Sequence, residues 1–301
     1  SPGEIESALV GHDAVAADSP SVAETPQRAV LVTGASVGIG RKVAERLAAE
    51  GYFVFAGVRK EQDLKALDAI PNVKAVRLDV TVPAEVAAAV EVVRNSGLPL
   101  YGIVNNAGVA VIDPVLSTSE EDFDFQMQVN VYGVFRVTKA FAPLVIESRG
   151  RIVNISSISA FLSDSGTAAY TMSKAAVEAF TNVLAVEMAP LGVTVIAVEP
   201  GAYNTDILKP ALERSVTKGF SADRSTMKPP DEVANIVLQA LSDAKPKRRY
   251  LIVPEQSQAE LTIQGVIDVL VQLNEDHAYS YDRAALIRML DHAVANHTPR
   301  P

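Results

Sequence analysis

The sequence predicts an α/β fold: one doubly wound domain on a parallel seven-stranded sheet with helices on both faces, followed by a C-terminal helical extension. Three observations carry this. Seven short apolar runs of strand length, rich in β-branched residues, recur between Ala29 and Pro254. Between them lie segments with apolar residues at helical spacing, the alternation of βαβ units joined by right-handed crossovers. Most of the runs are apolar throughout, as strands covered on both faces are.

Each element follows in order. AVLVTG is a strand ended by Gly34, and RKVAERLAAEG is a helix with Val43 and Leu47 on one face and a stop at Gly51. YFVFAGV is a strand, DLKALDAI a helix and VKAVRLDV a strand. Thr81 and Pro83 open a helix that carries Val86, Val90 and Val93 on one face and closes at Gly97. YGIVNNAG is a strand leaving through a glycine. Ser119, with Asp122 three residues on, caps a long helix to about Glu147. GRIVNIS is a strand, residues 167–188 a helix, and VTVIAVEPG a strand. A helix over Asp231–Leu241 and the strand RRYLIVP complete the domain.

Three stretches lie outside this alternation. Residues 1–27, rich in Ala, Ser, Pro and acidic residues, read as a flexible extension, with a short helix conceivable over Glu4–Val10. Residues 202–230 form a long connection inside the 28–254 domain, the kind that is usually functional or disordered. Residues 255–301 read as two helices, about Gln258–Leu273 and Tyr281–His292.

Composition narrows the partners. The 301 residues carry a net charge of -9, which disfavours nucleic acid and anionic membrane surfaces. There is no cysteine, so disulfides and thiolate metal sites are excluded, and the four histidines form no metal-ligand pair. No metal site is expected. No apolar run reaches the roughly 20 residues of a membrane span, and no signal peptide is readable. A cytoplasmic location is the expectation.

TGASVGIG places Gly34, Gly38 and Gly40 between the first strand and the first helix, with Ser36 and Ile39 among them. Glycines there admit a pyrophosphate to the backbone, and the helix N-terminus presents free N–H groups and partial positive charge. In this context the stretch reads as the phosphate loop of a Rossmann-like dinucleotide site. A NAD site usually ends the second strand with a carboxylate; here Gly57-Val58-Arg59-Lys60 stands instead. An Arg at that place can fork onto a 2′-phosphate. NADP(H) is therefore favoured, with NAD(H) possible, against the plainer reading of two solvated loop cations. Asp79, followed by Val80 at the end of the third strand, is placed either to bond an adenine amine or to cap the turn that follows.

Tyr170 and Lys174 stand four residues apart on a helix and so share a face. A free phenol has a pKa near 10, and action near pH 7 requires about 4 kcal/mol of stabilisation of its anion. One ammonium about 4 Å away at an effective dielectric near 20 supplies roughly that amount. Ser157, thirteen residues before Tyr170, lies just beyond the strand IVNIS, at the strand end where parallel sheets place their sites.

With these residues in order, the chain resembles the short-chain dehydrogenase/reductase family. The motifs are TGASVGIG, NNAG at Asn105–Gly108, Asn130 in NVYG, Ser157, the Tyr170/Lys174 pair, and Pro200–Gly201 followed by Thr205. The match covers about residues 28–254. The resemblance implies that Tyr170 is the general acid and base and that Lys174 lowers its pKa and bonds the nicotinamide ribose. Ser157 would polarise the substrate carbonyl, and Asn130 would help hold a water in a relay toward Lys174. It implies too that Asn106, Ala107 and Gly108 shape the cofactor floor, and that Pro200, Gly201 and Thr205 lie at the nicotinamide end. For Asn105 and Asn106, bracing of the central strands is an equal alternative.

Ile207, Leu208, Pro210, Ala211, Leu212 and Phe220 in the long connection, with Phe161 and Leu162 after Ser157, suggest an apolar pocket, unless they are ordinary core. VFAGVRK and APLGVTVIAVEPG resemble the retinol, hydroxysteroid and 3-hydroxybutyrate dehydrogenase subgroup. The expectation is a small apolar carbonyl or secondary alcohol. One alternative is a 3-oxoacyl-thioester reductase, whose acidic carrier would dock on KPKRRY at Lys245–Tyr250. A second is a non-catalytic dinucleotide sensor, against which Ser157, Tyr170, Lys174 and Asn130 all argue. Relatives imply a homodimer or homotetramer, paired through helices at 83–95 and 119–147.

Overall fold

The computed structural model describes residues 27–207, 209 and 224–297. The expected N-terminal extension (all but Gln27), the helix over Glu4–Val10, and Leu208, Pro210, Ala211, Leu212 and Phe220 lie outside the described residues. Seven strands pair in parallel, in the order β3-β2-β1-β4-β5-β6-β7. They are β1 (Ala29–Thr33), β2 (Phe53–Val58), β3 (Val73–Arg77), β4 (Leu100–Asn105), β5 (Arg151–Ile155), β6 (Thr194–Pro200) and β7 (Arg249–Ile252). The order reverses between β1 and β4. Helices diverge to opposite faces there and open a crevice beyond the strand ends.

Alternation along each strand builds two cores. Ala29 and Leu31 of β1 face one layer, Val30 and Val32 the other, and all four are buried. The first layer is closed by α3 (Pro83–Asn95), by the long helix Glu120–Glu147 and by α6 (Ala168–Met188). The second is closed by α1 (Gly38–Ala49), α2 (Glu61–Asp68) and α7 (Asp231–Ser242). Arg151 helps seat α7 by donating to the carbonyls of Ala240 and Asp243 at its C-terminal end.

The long helix begins at a reciprocal cap. Ser119 Oγ accepts from the Asp122 amide at 3.1 Å and donates to Asp122 Oδ2 at 2.9 Å. It is not uniform: α4 (Glu120–Met127) passes through a π-helical turn, Gln128–Tyr132, into α5 (Gly133–Glu147). By length and composition this stretch could cross a membrane, but 56% of its most apolar window is buried inside the fold, as in a core helix. The extension forms α8 (Gln256–Leu273) and α9 (Arg283–His297). Thr262 anchors α8, while α9 buries no residue.

Candidate active site

A crevice opens at the β1/β4 switch. Gly34, Ser36, Gly38, Ile39, Arg59, Asp79, Val80, Asn106, Ala107, Gly108 and Thr205 line it, as the sequence predicts. Gly40, Tyr170, Lys174, Pro200 and Gly201 do not. Gly40 acts beneath the wall, where a Cβ would collide with the Gly34 carbonyl and the Asn106 amide. Gly34 takes a positive φ of 64°, and a Cβ there would meet Ala107 Cα at 2.8 Å. These close approaches leave a backbone-walled cradle at the N-terminus of α1, whose free N–H groups fit a pyrophosphate.

Asn106 braces this loop. Its Nδ2 donates to the carbonyls of Thr33 at 3.0 Å and Gly34 at 3.2 Å, and its backbone amide donates to Thr33 Oγ1. Asn105 is interior bracing: its Nδ2 reaches Asn154 Oδ1 at 2.8 Å and Thr138 Oγ1 at 3.0 Å. Asp79 settles into the capping role. Its Oδ1 accepts from the Thr81 amide at 2.9 Å and hydroxyl at 2.7 Å, while the residue still borders the crevice. Arg59 is exposed on the crevice wall and has no hydrogen-bond partner among the described residues. Lys60 only caps α2.

Ser157, buried at the end of β5, caps a short 3-10 turn, its Oγ accepting from the Ser159 amide at 3.1 Å. Tyr170, half-buried in the first turn of α6, is hydrogen-bonded to Ser157. Lys174 is buried one turn on and donates to the Ile155 carbonyl at 2.9 Å. Serine and phenol therefore meet beyond the end of β5. Burial pushes the Tyr170 phenol up, and the Ser157 hydroxyl draws it down. The ammonium lies 5.8 Å from the Tyr170 ring centroid. Burial lowers Lys174 itself to about 8, against the opposing charge of Glu178.

Asn130 is buried in the π-helical turn. Its Oδ1 accepts from the Val109 amide at 2.9 Å, and its Nδ2 donates to the Val109 carbonyl at 2.9 Å and to Ser173 Oγ at 3.0 Å. With these three bonds the carboxamide clamps the chain after β4 to α6, and one Oδ1 lone pair and the backbone carbonyl are left over. The π-helical turn points it inward. Gln126 repeats the clamp, accepting from the Val111 amide at 2.7 Å and donating to the Val109 carbonyl at 2.8 Å. Sequence reasoning missed Gln126; its one signal is a polar residue four positions before Asn130 on the same helix face. Val37, Gly57, Val58, Leu78, Val109, Val129, Asp206 and Ile207 also line the crevice and were missed, Ile207 excepted as a pocket residue. Strand-end position was the signal for Gly57, Val58 and Leu78, while Val37 stands within TGASVGIG itself and Val129 beside Asn130.

Phe161 packs near the Arg249 guanidinium, 5.9 Å from ring to cation, and its carbonyl touches α8 near Gly265. Gln258 of α8 accepts from the Ala202 amide at 2.8 Å. The extension thus borders the segment after Ser157 and the segment after Pro200. Lys245–Tyr250 precedes and opens β7, at the end of the sheet away from the crevice, and its Arg249 turns to Glu178 and Glu199. Among the described residues no group of His, Asp or Glu is placed to hold a metal.

Residues 28–215 match the short chain dehydrogenase family. The chain is 40% identical over 193 residues to mitochondrial D-beta-hydroxybutyrate dehydrogenase of Bos taurus, over 61% of this chain and 56% of that protein. It therefore spans little more than half the length of that relative. A short chain dehydrogenase from Burkholderia cenocepacia J2315 in complex with NADP superposes with a TM-score of 0.67 at 28% identity, over 83% of this chain and 96% of that one. A 3-ketoacyl-(acyl-carrier-protein) reductase from Brucella melitensis complexed with NADH gives 0.67 at 27%, over 77% and 98%.

Proposed function

This chain belongs to the short chain dehydrogenase family, and on that premise we propose that it interconverts an apolar carbonyl compound and its secondary alcohol with NADP(H). The observation that carries the reading is the hydrogen-bonded Ser157/Tyr170 pair, with Lys174 one turn away, at the strand ends beside a glycine-walled crevice. When bound, the nicotinamide supplies or takes the hydride. Gly34, Ser36, Gly38 and Ile39 would hold the pyrophosphate, and Asn106–Gly108 the floor below the ribose. Lys174 would bond the ribose hydroxyls. In reduction Ser157 donates a hydrogen bond to the carbonyl oxygen, and Tyr170 passes its phenolic proton to that oxygen as it becomes an alkoxide. In oxidation Tyr170 takes the proton back. Arg59, on the crevice wall without a hydrogen-bond partner among the described residues, supports NADP(H) over NAD(H).

The hydroxybutyrate dehydrogenase relative favours a second reading, in which the alcohol is carried by a short 3-hydroxy acid. The thioester reading is weaker, because Lys245–Tyr250 opens β7 at the far end of the sheet. A panel of ketones, secondary alcohols, 3-hydroxy acids and 3-oxoacyl thioesters, assayed with each cofactor by nicotinamide absorbance, tests all three. Turnover confined to thioesters or hydroxy acids overturns the apolar substrate. Homo-oligomeric assembly and a cytoplasmic location belong to the same proposal. Exposed Tyr132, Phe135, Val183 and Val186 on the long helix and α6 support pairing there rather than through α3. Light scattering after size exclusion and imaging of the tagged chain test these two points.

A further inference from the structure

One turn beyond Lys174, on the same face of α6, stands Glu178, only 6% exposed. Arg249 of β7 donates to Glu178 Oε2, to Glu199 Oε1 of β6 at 2.7 Å, and to Asn182 Oδ1 at 2.9 Å. Two buried carboxylates thus share one guanidinium. Glu178 Oε1 is buried without a hydrogen-bond partner. A buried carboxylate oxygen left unbonded costs free energy unless a charge nearby compensates it. The next cation along that helix face is Lys174, itself buried on a single hydrogen bond to the Ile155 carbonyl.

We propose that Glu178 is a positioning residue for the reaction above: its carboxylate holds the buried Lys174 ammonium charged and directed along the α6 face, with Arg249 fixing Glu178 in turn. The inference rests on the proposed oxidoreductase reading only for the use made of Lys174. The directions of titration agree. Burial draws Lys174 down to about 8 and Glu178 opposes this, while burial and then Glu178 push Glu199 up to about 7. Among the described residues, the titratable and charged groups facing Lys174 and this cluster are Tyr170 and Glu178 from α6, Glu199 from β6 and Arg249 from β7; the π-helical turn contributes the neutral Asn130.

The test is an NMR titration of the full chain labelled with 13C at lysine Cε, the Lys174 signal being assigned by its loss in Lys174→Met. In Glu178→Gln the Lys174 midpoint falls by about one pH unit or more, a tenfold loss of proton affinity. In Glu178→Asp, which keeps the charge but withdraws it by one methylene, the midpoint lies between the two. A wild-type midpoint in either variant overturns the proposal, and the Asp variant decides it should the Gln variant fail to fold. The titration does not depend on turnover. A shifted midpoint in a chain that turns over no carbonyl or alcohol removes the proposed reaction and leaves the charge coupling standing.

Discussion

Lys174 Nζ stands 5.8 Å from the centre of the Tyr170 ring and spends its hydrogen bond on the Ile155 carbonyl, at 2.9 Å. The two side chains are neighbours by helical spacing, yet the ammonium is tied to the end of β5 while the phenol is tied to Ser157. Proton delivery and charge are thus held by separate anchors that meet at one strand end.

Removing the phenolic hydroxyl therefore removes the proton and leaves the crevice. Tyr170→Phe loses about 10²- to 10⁴-fold in kcat, the range of general acid–base catalysis. Cofactor affinity, read by fluorescence of the reduced nicotinamide, stays close to wild type because Tyr170 does not line the crevice. Full turnover in this variant contradicts the assignment.

Among the described residues lining the crevice, Arg59 is the one cation. Charge-assisted hydrogen bonds contribute about 1.5–3 kcal/mol, so Arg59→Ala lowers kcat/KM with NADP(H) by roughly 10- to 100-fold. With NAD(H) the change is small. Equal losses on both cofactors mean that Arg59 does not read the 2′-phosphate.

Gly40 lies against two groups that cannot retreat, the Gly34 carbonyl and the Asn106 amide that braces it. Gly40→Ala costs about 1–3 kcal/mol in overpacking and pushes the phosphate loop out of shape. Thermal unfolding shows the lower stability, and cofactor titration shows weakened binding. A variant of wild-type stability and affinity means that the loop is not held by this contact.

Glu199 is 3% exposed, and its carboxyl is pushed up to about 7, first by burial and then by Glu178. The folded state then holds a proton that the unfolded chain releases near 4.5. This stabilisation is complete below pH 4.5 and is lost as pH rises through 7. Glu199→Gln, which mimics the neutral form, unfolds at a higher temperature than wild type at pH 8, by up to about 3 kcal/mol in stability. The difference disappears near pH 4.5. Parallel stability–pH curves for the two proteins contradict the shift.

Much of the fold was legible because its signals are local. Continuous runs such as AVLV and VTVIAV are buried on both faces, and β1 to β7 appear where those runs stand. Ser119 with Asp122 announced its helix start, and the cap is made. The π-helical turn was not legible, since nothing in QVNVY departs from ordinary helical spacing. The acidic pair Glu178 and Glu199 was not legible either, because twenty residues of chain separate partners that only the sheet and Arg249 bring together.

By itself, then, the sequence determined the parallel α/β architecture, the glycine loop after β1 and the adjacency of Tyr170 and Lys174, because period, turn chemistry and helical spacing act within a few residues. The tertiary structure decided what long-range hydrogen bonds and burial control. It closed Asn130 onto Val109, turned Asp79 to Thr81, tied Lys174 to Ile155 and left Arg59 open to the crevice. A polar side chain's role is fixed by whichever partner reaches it first in the folded interior, and those partners come from distant parts of the chain.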